Sequence, residues 1–303
     1  MGQDDRICLC AFQTWNVQLR CDEVHAMTDI LILGGTGKTG RRLTTILRDQ
    51  GQSVRTAARS GADVTFDWDD AASRAAALEG ADRVYLVPPA LRLDHAPLVA
   101  AFLDEAVSAG VHHVTFLSAG GVQFAPPEAA LRAIELMLTG RDDLTHTVLR
   151  PSWFLQNLTE GFMAPMVAEG TLALPAGDGA EAFIDAEDIA AVAAATLVDP
   201  AAHAGREFNL TGPEAITHTE LAARVSAATG REVRYVDAPR ADWIEGVQRA
   251  GVPADYAELL AGLFDVIRDG HGSRPTEDVE TVLGRPARSV ETFLAAEVGT
   301  PVP

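Results

Sequence analysis

The sequence predicts an α/β fold: a doubly wound parallel sheet with a smaller α/β region beside it. Three observations carry that expectation. A short apolar strand at residues 30–33 runs into Gly34-Gly35-Thr36-Gly37-Lys38-Thr39-Gly40 and then into a helical pattern over 41–50. Strand and helix patterns then alternate as far as Pro151. After Pro151 the rhythm changes. Strands that alternate with helices need right-handed crossovers, and these build a parallel sheet covered on both faces.

The elements follow in order. Residues 53–58 read as a second strand and 64–66 as a short third. A helix over 71–78 leads to a fourth strand, 83–87, stopped by Pro88-Pro89. A long helix over about 96–109 ends at Gly110, and 113–118 is the fifth strand. A helix over 127–138 precedes the sixth, 145–149, stopped by Arg150-Pro151. Then come a helix over 185–197 and a strand over 207–210. Thr217-x-x-Glu220 is a capping box opening a helix over 221–229. A strand over 233–236, helices near 241–250 and 254–269, and a last helix from about 289 complete the chain.

The 303 residues suit one large domain, or one with a small satellite. Lys+Arg total 24 against 43 Asp+Glu, a net charge of -19. Such a surface repels nucleic acid and anionic membranes. No apolar run reaches the roughly 18 to 20 residues of a membrane span. Cys8, Cys10 and Cys21 all precede Asp22, so the remainder has no disulfide framework, Cys-ligated zinc or Cys nucleophile. This usage fits a reducing cytoplasm. Lys38 is the one lysine, so a mechanism that needs a lysine must use it. Residues 1–26 lack the features of a signal or transit peptide. They read as a disordered extension or an over-long gene start, with Met27 as the effective beginning. A redox or metal tail on the three cysteines is the alternative.

Gly35-x-Gly37-x-x-Gly40 between a strand and a helix is a Rossmann-type dinucleotide signature. The first glycines, Gly34 among them, permit the tight turn and the approach of pyrophosphate, Gly40 the close helix–strand packing, and the helix N-terminus presents free N–H groups. The spacing does not match a nucleotide-triphosphate loop. Thr36, Lys38 and Thr39 belong to the same cofactor loop. An NAD site places an acid at the end of the second strand; here Arg59 stands there, and arginine suits a 2′-phosphate. Lys38 adds charge from the loop. NADPH is therefore expected, with NADH the lesser alternative. Asp67 is a candidate for the adenine edge, a plain turn aspartate being the other reading. The expected division is a nucleotide domain over 27–155, rejoined by 183–212, and a substrate and lid region making up most of 156–303. The latter is laid over the carboxyl edge of the sheet, where ligands bind in this architecture.

With these residues placed, the chain resembles the NmrA-like branch of atypical short-chain dehydrogenases/reductases. The matching stretches are residues 30–40, Val84-Tyr-Leu-Val-Pro-Pro89 and His113-Val-Thr-Phe-Leu-Ser-Ala119. Others are Thr147-Val-Leu-Arg-Pro-Ser-Trp-Phe-Leu-Gln-Asn157, Phe183-Ile-Asp-Ala-Glu-Asp-Ile189 and residues 208–217. The resemblance spans 28 to about 297. It implies a nicotinamide-cofactor protein, with Val87, Pro88 and Pro89 beneath the nicotinamide ribose and a pocket beginning after the sixth strand. The branch includes quinone and azo reductases, ergot-alkaloid iminium reductases, ketoreductases of aromatic polyketides, and a regulator that binds the cofactor without turning it over.

The Tyr-x-x-x-Lys dyad of the wider family is absent. Tyr85, Tyr235 and Tyr256 are followed four residues on by Pro89, Pro239 and Leu260. Hydride transfer itself needs only a nicotinamide held against an electrophilic carbon. The absence points to an activated substrate or to no reaction. Ser118, ending the fifth strand, is the candidate hydrogen-bond partner of a substrate carbonyl, and it also borders the cofactor. His95, after the fourth strand, is the candidate protein acid. Trp153, Phe154, Asn157, Met163 and Tyr256 are candidate substrate-lining residues, with core packing as the alternative for each. His203, His218 and His271 read as surface or cap residues. No pair has metal-ligand spacing. The expectation is an NADPH-dependent reductase of a small aromatic carbonyl, most sharply a ketoreductase of an aromatic polyketide of the kind actinomycetes make. A quinone or azo reductase and a non-catalytic NADP(H) sensor are the alternatives. The expected state is a monomer or homodimer.

Overall fold

The computed structural model describes residues 29–272 and 274–298. The expectations for residues 1–26, including the three cysteines, lie outside them. Seven parallel strands form one sheet: β1 (Asp29–Leu33), β2 (Val54–Ala58), β3 (Val64–Thr65), β4 (Ala81–Leu86), β5 (His113–Leu117), β6 (Thr145–Pro151) and β9 (Arg206–Leu210). Their order is β3-β2-β1-β4-β5-β6-β9. The order reverses between β1 and β4, which pair in parallel. That reversal opens a crevice at the carboxyl ends of the strands. The inner residues of β1, Ile30 to Leu33, are all buried, as a strand covered on both faces requires.

Helices cover the two faces. α1 (Lys38–Asp49) and α7 (Ala186–Val198) cover one, where Leu43 and Leu47 pack with Ile189, Val192 and Leu197. α2 (Ala71–Leu78), α3 (Ala96–Ser108) and α4 (Ala130–Thr139) cover the other, with Phe102, Leu103, Ile134 and Leu138 inside. α4 starts later than the spacing predicts, because a turn from Pro126 to Ala129 precedes it.

The chain leaves the sheet after β6. It forms α5 (Asn157–Glu160), α6 (Ala164–Ala168), β7 (Thr171–Leu174) and β8 (Ala180–Glu181). It returns through α7, α8 (Pro200–His203) and β9, which pairs with β6. It then adds β10 (Ile216–Thr217), α9 (His218–Thr229), β11 (Arg234–Asp237), α10 (Arg240–Arg249) and α11 (Ala254–Val266). α12 (Asp278–Leu283) and α13 (Val290–Glu297) end the described chain. β7 pairs with β11 and β8 with β10, apart from the main sheet. These segments share a third core centred on Trp243, Phe264 and Phe293. α11 passes into a π turn ending near Gly270, whose φ of 78° breaks the helix. Among the described residues no helix is long and apolar enough to cross a membrane.

Two histidines sit unprotonated inside. His113 is fully buried in β5, its Nδ1 2.9 Å from the Thr145 hydroxyl. Burial, with His112, His146, Arg83 and His203 nearby, lowers its pKa to about 4. His218 departs from the surface or cap role expected of it. The Thr217 hydroxyl and Glu220 cap α9, so the His218 ring turns inward and stacks on Tyr235 at 5.6 Å. It is 1% exposed, and burial lowers its pKa to about 4. Both bind a proton more readily when unfolded. Stability should therefore hold above pH 6.5 and fall between 6.5 and about 4, by at most roughly 3 kcal/mol per ring. Urea unfolding at pH 7.5, 6.0 and 5.0 should show that slope, and His218→Phe should reduce it.

Candidate functional site

The site starts with the backbone after β1. Gly34 has φ +66°, a conformation that side chains rarely take. Its carbonyl accepts from the Gly37 N–H at 2.8 Å. A Cβ on Gly40 would lie 2.2 Å from that same carbonyl oxygen. A Cβ on Gly35 would lie 2.6 Å from the Thr56 Cβ. The loop thus packs backbone on backbone, and only glycine fits. α1 begins at Lys38 with no side-chain cap and no acid in its first turn. Its first N–H groups and its positive dipole end face the crevice, which is the chemistry of a diphosphate site. Val87, just past β4, lies 3.7 Å from where a Gly34 Cβ would stand, so β4 meets the loop there. Pro88 and Pro89 follow, half-buried. Leu91 in the same loop has φ 60°, a strained value for a leucine. These residues fit a dinucleotide laid across the switch point.

Beside the glycine loop is a cleft of about 570 Å³ bounded by Gly35, Thr36, Arg41, Arg48, Thr56 and Asp63. Arg59 stands at the end of β2, exposed, with no ion pair or hydrogen bond among the described residues. Its neighbours are committed: Arg48 pairs with Asp63 at 2.9 Å. Asp63 was not singled out by the sequence reading. Its carboxylate accepts from the Thr56 N–H and hydroxyl, and these bonds hold its pKa below the usual range. It falls five residues past the end of β2, beyond the position where the spacing places an acid. Asp67 is exposed, and its carboxylate accepts from the Asp69 N–H, the geometry of a turn.

Ser118, the expected partner of a substrate carbonyl, and His95, the expected protein acid, are both engaged within the chain. Ser118 directly follows β5 and is 6% exposed. Its hydroxyl, however, donates to Glu135 on α4 at 2.6 Å. A serine has one proton, so a ligand meets only its lone pairs. Glu135 is fully buried and also accepts from Arg150 through two bonds of 2.8 Å and from Arg132 at 2.9 Å. Burial pushes its pKa up, but the bonds from Arg150, Ser118 and Arg132 outweigh this and hold it below the usual range. His95 is 3% exposed, and its Nδ1 lies 2.9 Å from the Arg92 carbonyl oxygen. A carbonyl only accepts, so the proton is on Nδ1 and Nε2 is bare. Burial lowers the His95 pKa further. The ring's one proton is thus committed to the Arg92 carbonyl.

On the substrate side, Trp153 stacks on Phe264 at 4.6 Å and packs partly exposed on the third core. Phe154 bridges to Ile184 and packs on the α1 face. Met163 is 1% exposed within the core, so it does not line a cleft. Tyr256 is half-buried on α11, and burial raises its pKa. Asn157, the first residue of α5, accepts a 2.8 Å hydrogen bond from Lys38. Lys38 thus turns toward the substrate segment, away from the end of β2 where the sequence reading put its charge. Glu160 of α5 is held by Arg41 and Arg42 of α1. Arg42 also binds Glu187 at 2.8 Å and Glu297 at 2.5 Å. Among the described residues no cluster could hold a metal ion.

The model of the NmrA-like family matches residues 128–294, and that of an NAD(P)H-binding family matches 34–200. The chain is 38% identical over 275 residues to the uncharacterized oxidoreductase YesF of Bacillus subtilis, covering 88% of this chain and 94% of that one. It is 32% identical over 281 residues to agroclavine dehydrogenase of Claviceps fusiformis, covering 88% and 96%. The NADPH complex of the quinone oxidoreductase QOR2 from Escherichia coli superposes with a TM-score of 0.68 at 24% identity, covering 88% and 98%.

Ser118→Ala should cost about 1 kcal/mol, the worth of one hydrogen bond. Glu135→Leu should cost about 3–5 kcal/mol, because it leaves Arg150 without its buried partner. Chemical denaturation of the two variants should show that order.

Proposed function

The chain belongs to the NmrA-like family, and within it we propose an NADPH-dependent reductase that delivers hydride to an activated, aromatic carbonyl carbon. The chain matches an NAD(P)H-binding family over 34–200, and its relatives include oxidoreductases. The observation that carries the cofactor choice is Arg59. Among the described residues it is a cation without a partner just past β2, whereas Arg41, Arg42 and Arg48 of α1 are each paired. A guanidinium in that position matches a 2′-phosphate in charge and shape. Asp63, which lines the cleft beside the glycine loop, is already satisfied by Thr56 and Arg48.

The substrate class follows from what the site lacks. The sequence has no Tyr-x-x-x-Lys dyad, and the hydroxyl of Ser118 and the ring of His95 have their protons committed. A substrate that is already electrophilic fits such a site, for instance a ketone flanked by a phenol. A phenol-flanked polycyclic ketone of polyketide type is the sharpest version. Trp153, Phe154 and Tyr256, each partly exposed, supply aromatic surface for it.

The test follows NADPH and NADH oxidation by absorbance with simple ketones, phenol-flanked polycyclic ketones and quinones. Turnover with the flanked ketones is expected. Turnover of quinones alone moves the substrate class to quinones, and tight NADPH binding without consumption favours a sensor. Arg59→Ala should weaken NADPH about tenfold and leave NADH within about twofold, the loss of a charge-assisted phosphate contact. Equal effects on both cofactors would remove Arg59 from the 2′-phosphate site.

A further inference from the structure

A carbonyl reduction needs a proton as well as a hydride, and the described residues leave few sources. Ser118 gives its proton to Glu135, and His95 gives its own to the Arg92 carbonyl. Tyr85 is fully buried, and the Tyr235 hydroxyl donates to the Leu174 carbonyl at 3.1 Å. Tyr256 and Lys38 remain.

Lys38 has the better position. It is the first residue of α1, so it springs from the end of the helix that fits the diphosphate. Its side chain crosses to the segment that follows β6. There Nζ donates to the Asn157 amide oxygen at 2.8 Å, four residues past Trp153. A Cβ on Gly161 would lie 2.9 Å from Nζ, so a glycine keeps that space free. An ammonium has three N–H groups, and the other two have no partner among the described residues. The partner it does have is neutral. The carboxylate whose charge acts on it, Glu160, is itself bound by Arg41 and Arg42. Among the described residues Lys38 is therefore a half-buried cation in no ion pair, set between the cofactor loop and the substrate segment. Burial lowers its pKa, Glu160 opposes this, and Arg41 and Arg42 add to it.

We propose that the Lys38 ammonium pairs with the carbonyl oxygen of the substrate and gives it the proton that completes reduction. The inference rests on the reductase reading above. Hydride brings two electrons to the carbonyl carbon, and the C–O π pair moves to oxygen. Oxygen takes a proton from Nζ, and water re-protonates the neutral amine. An iminium carbon needs only the hydride, so its reduction makes no demand on Lys38.

Two readouts test this. Protein labelled at the lysine ε-carbon with 13C has one lysine signal, because the sequence has one lysine. In the NADP+ complex, 4-nitrophenolate, an aromatic oxyanion, should shift that signal saturably, and nitrobenzene should not. No shift with the phenolate overturns the proposal. The second readout is kinetic, at saturating NADPH. Lys38→Met should lower kcat about 100-fold or more with a flanked ketone and less than about tenfold with a preformed iminium, the range of general-acid catalysis. Lys38→Arg keeps the charge but holds its proton too tightly, and should recover little of the ketone rate. Equal loss on both substrates, a rise in NADPH Kd above about 100-fold, or a ketone loss that follows Tyr256→Phe instead would each overturn it. A wild-type protein inactive with every substrate removes the reductase reading, while the 13C signal still reports whether Lys38 meets an oxyanion.

Discussion

The contact of backbone on backbone between β1 and the head of α1 sets the rest of the structure. The Gly34 carbonyl is bonded by Gly37 and touched by Gly40, where a methyl group would stand 2.2 Å from oxygen. That approach brings the positive end of α1 to the sheet's switch point and seats Val87 beside it. It also aims the first turns of α1 outward. Arg42 then ties α5, α7 and α13 to the same helix through Glu160, Glu187 and Glu297. One helix start thus presents the cofactor site and anchors three distant segments.

The second determinant is a buried charge cluster on the far side of the crevice. Glu135, Arg150, Arg132 and Ser118 satisfy one another between α4, β5 and β6. A carboxylate with no exposed surface persists only with such partners. The cluster holds the carboxyl ends of β5 and β6 in register and uses the one proton Ser118 has. The hydroxyl of Ser118 thus keeps only its lone pairs free.

The sequence by itself determined the sheet, the glycine loop and the cofactor class. Each is written locally: alternation with period, prolines at the ends of β4 and β6, glycines at fixed spacing, and Arg59 in place of an acid. Only the tertiary structure decided the roles of the polar side chains, because each depends on a partner far along the chain. Ser118 is committed by Glu135, seventeen residues on. Lys38 is turned by Asn157, 119 residues on. His218 is drawn inward by Tyr235 and Phe183 once Thr217 has taken the cap. Short elements such as α5, β7 and β8 escaped notice for the same reason, since two to four residues carry no period and gain their form from packing.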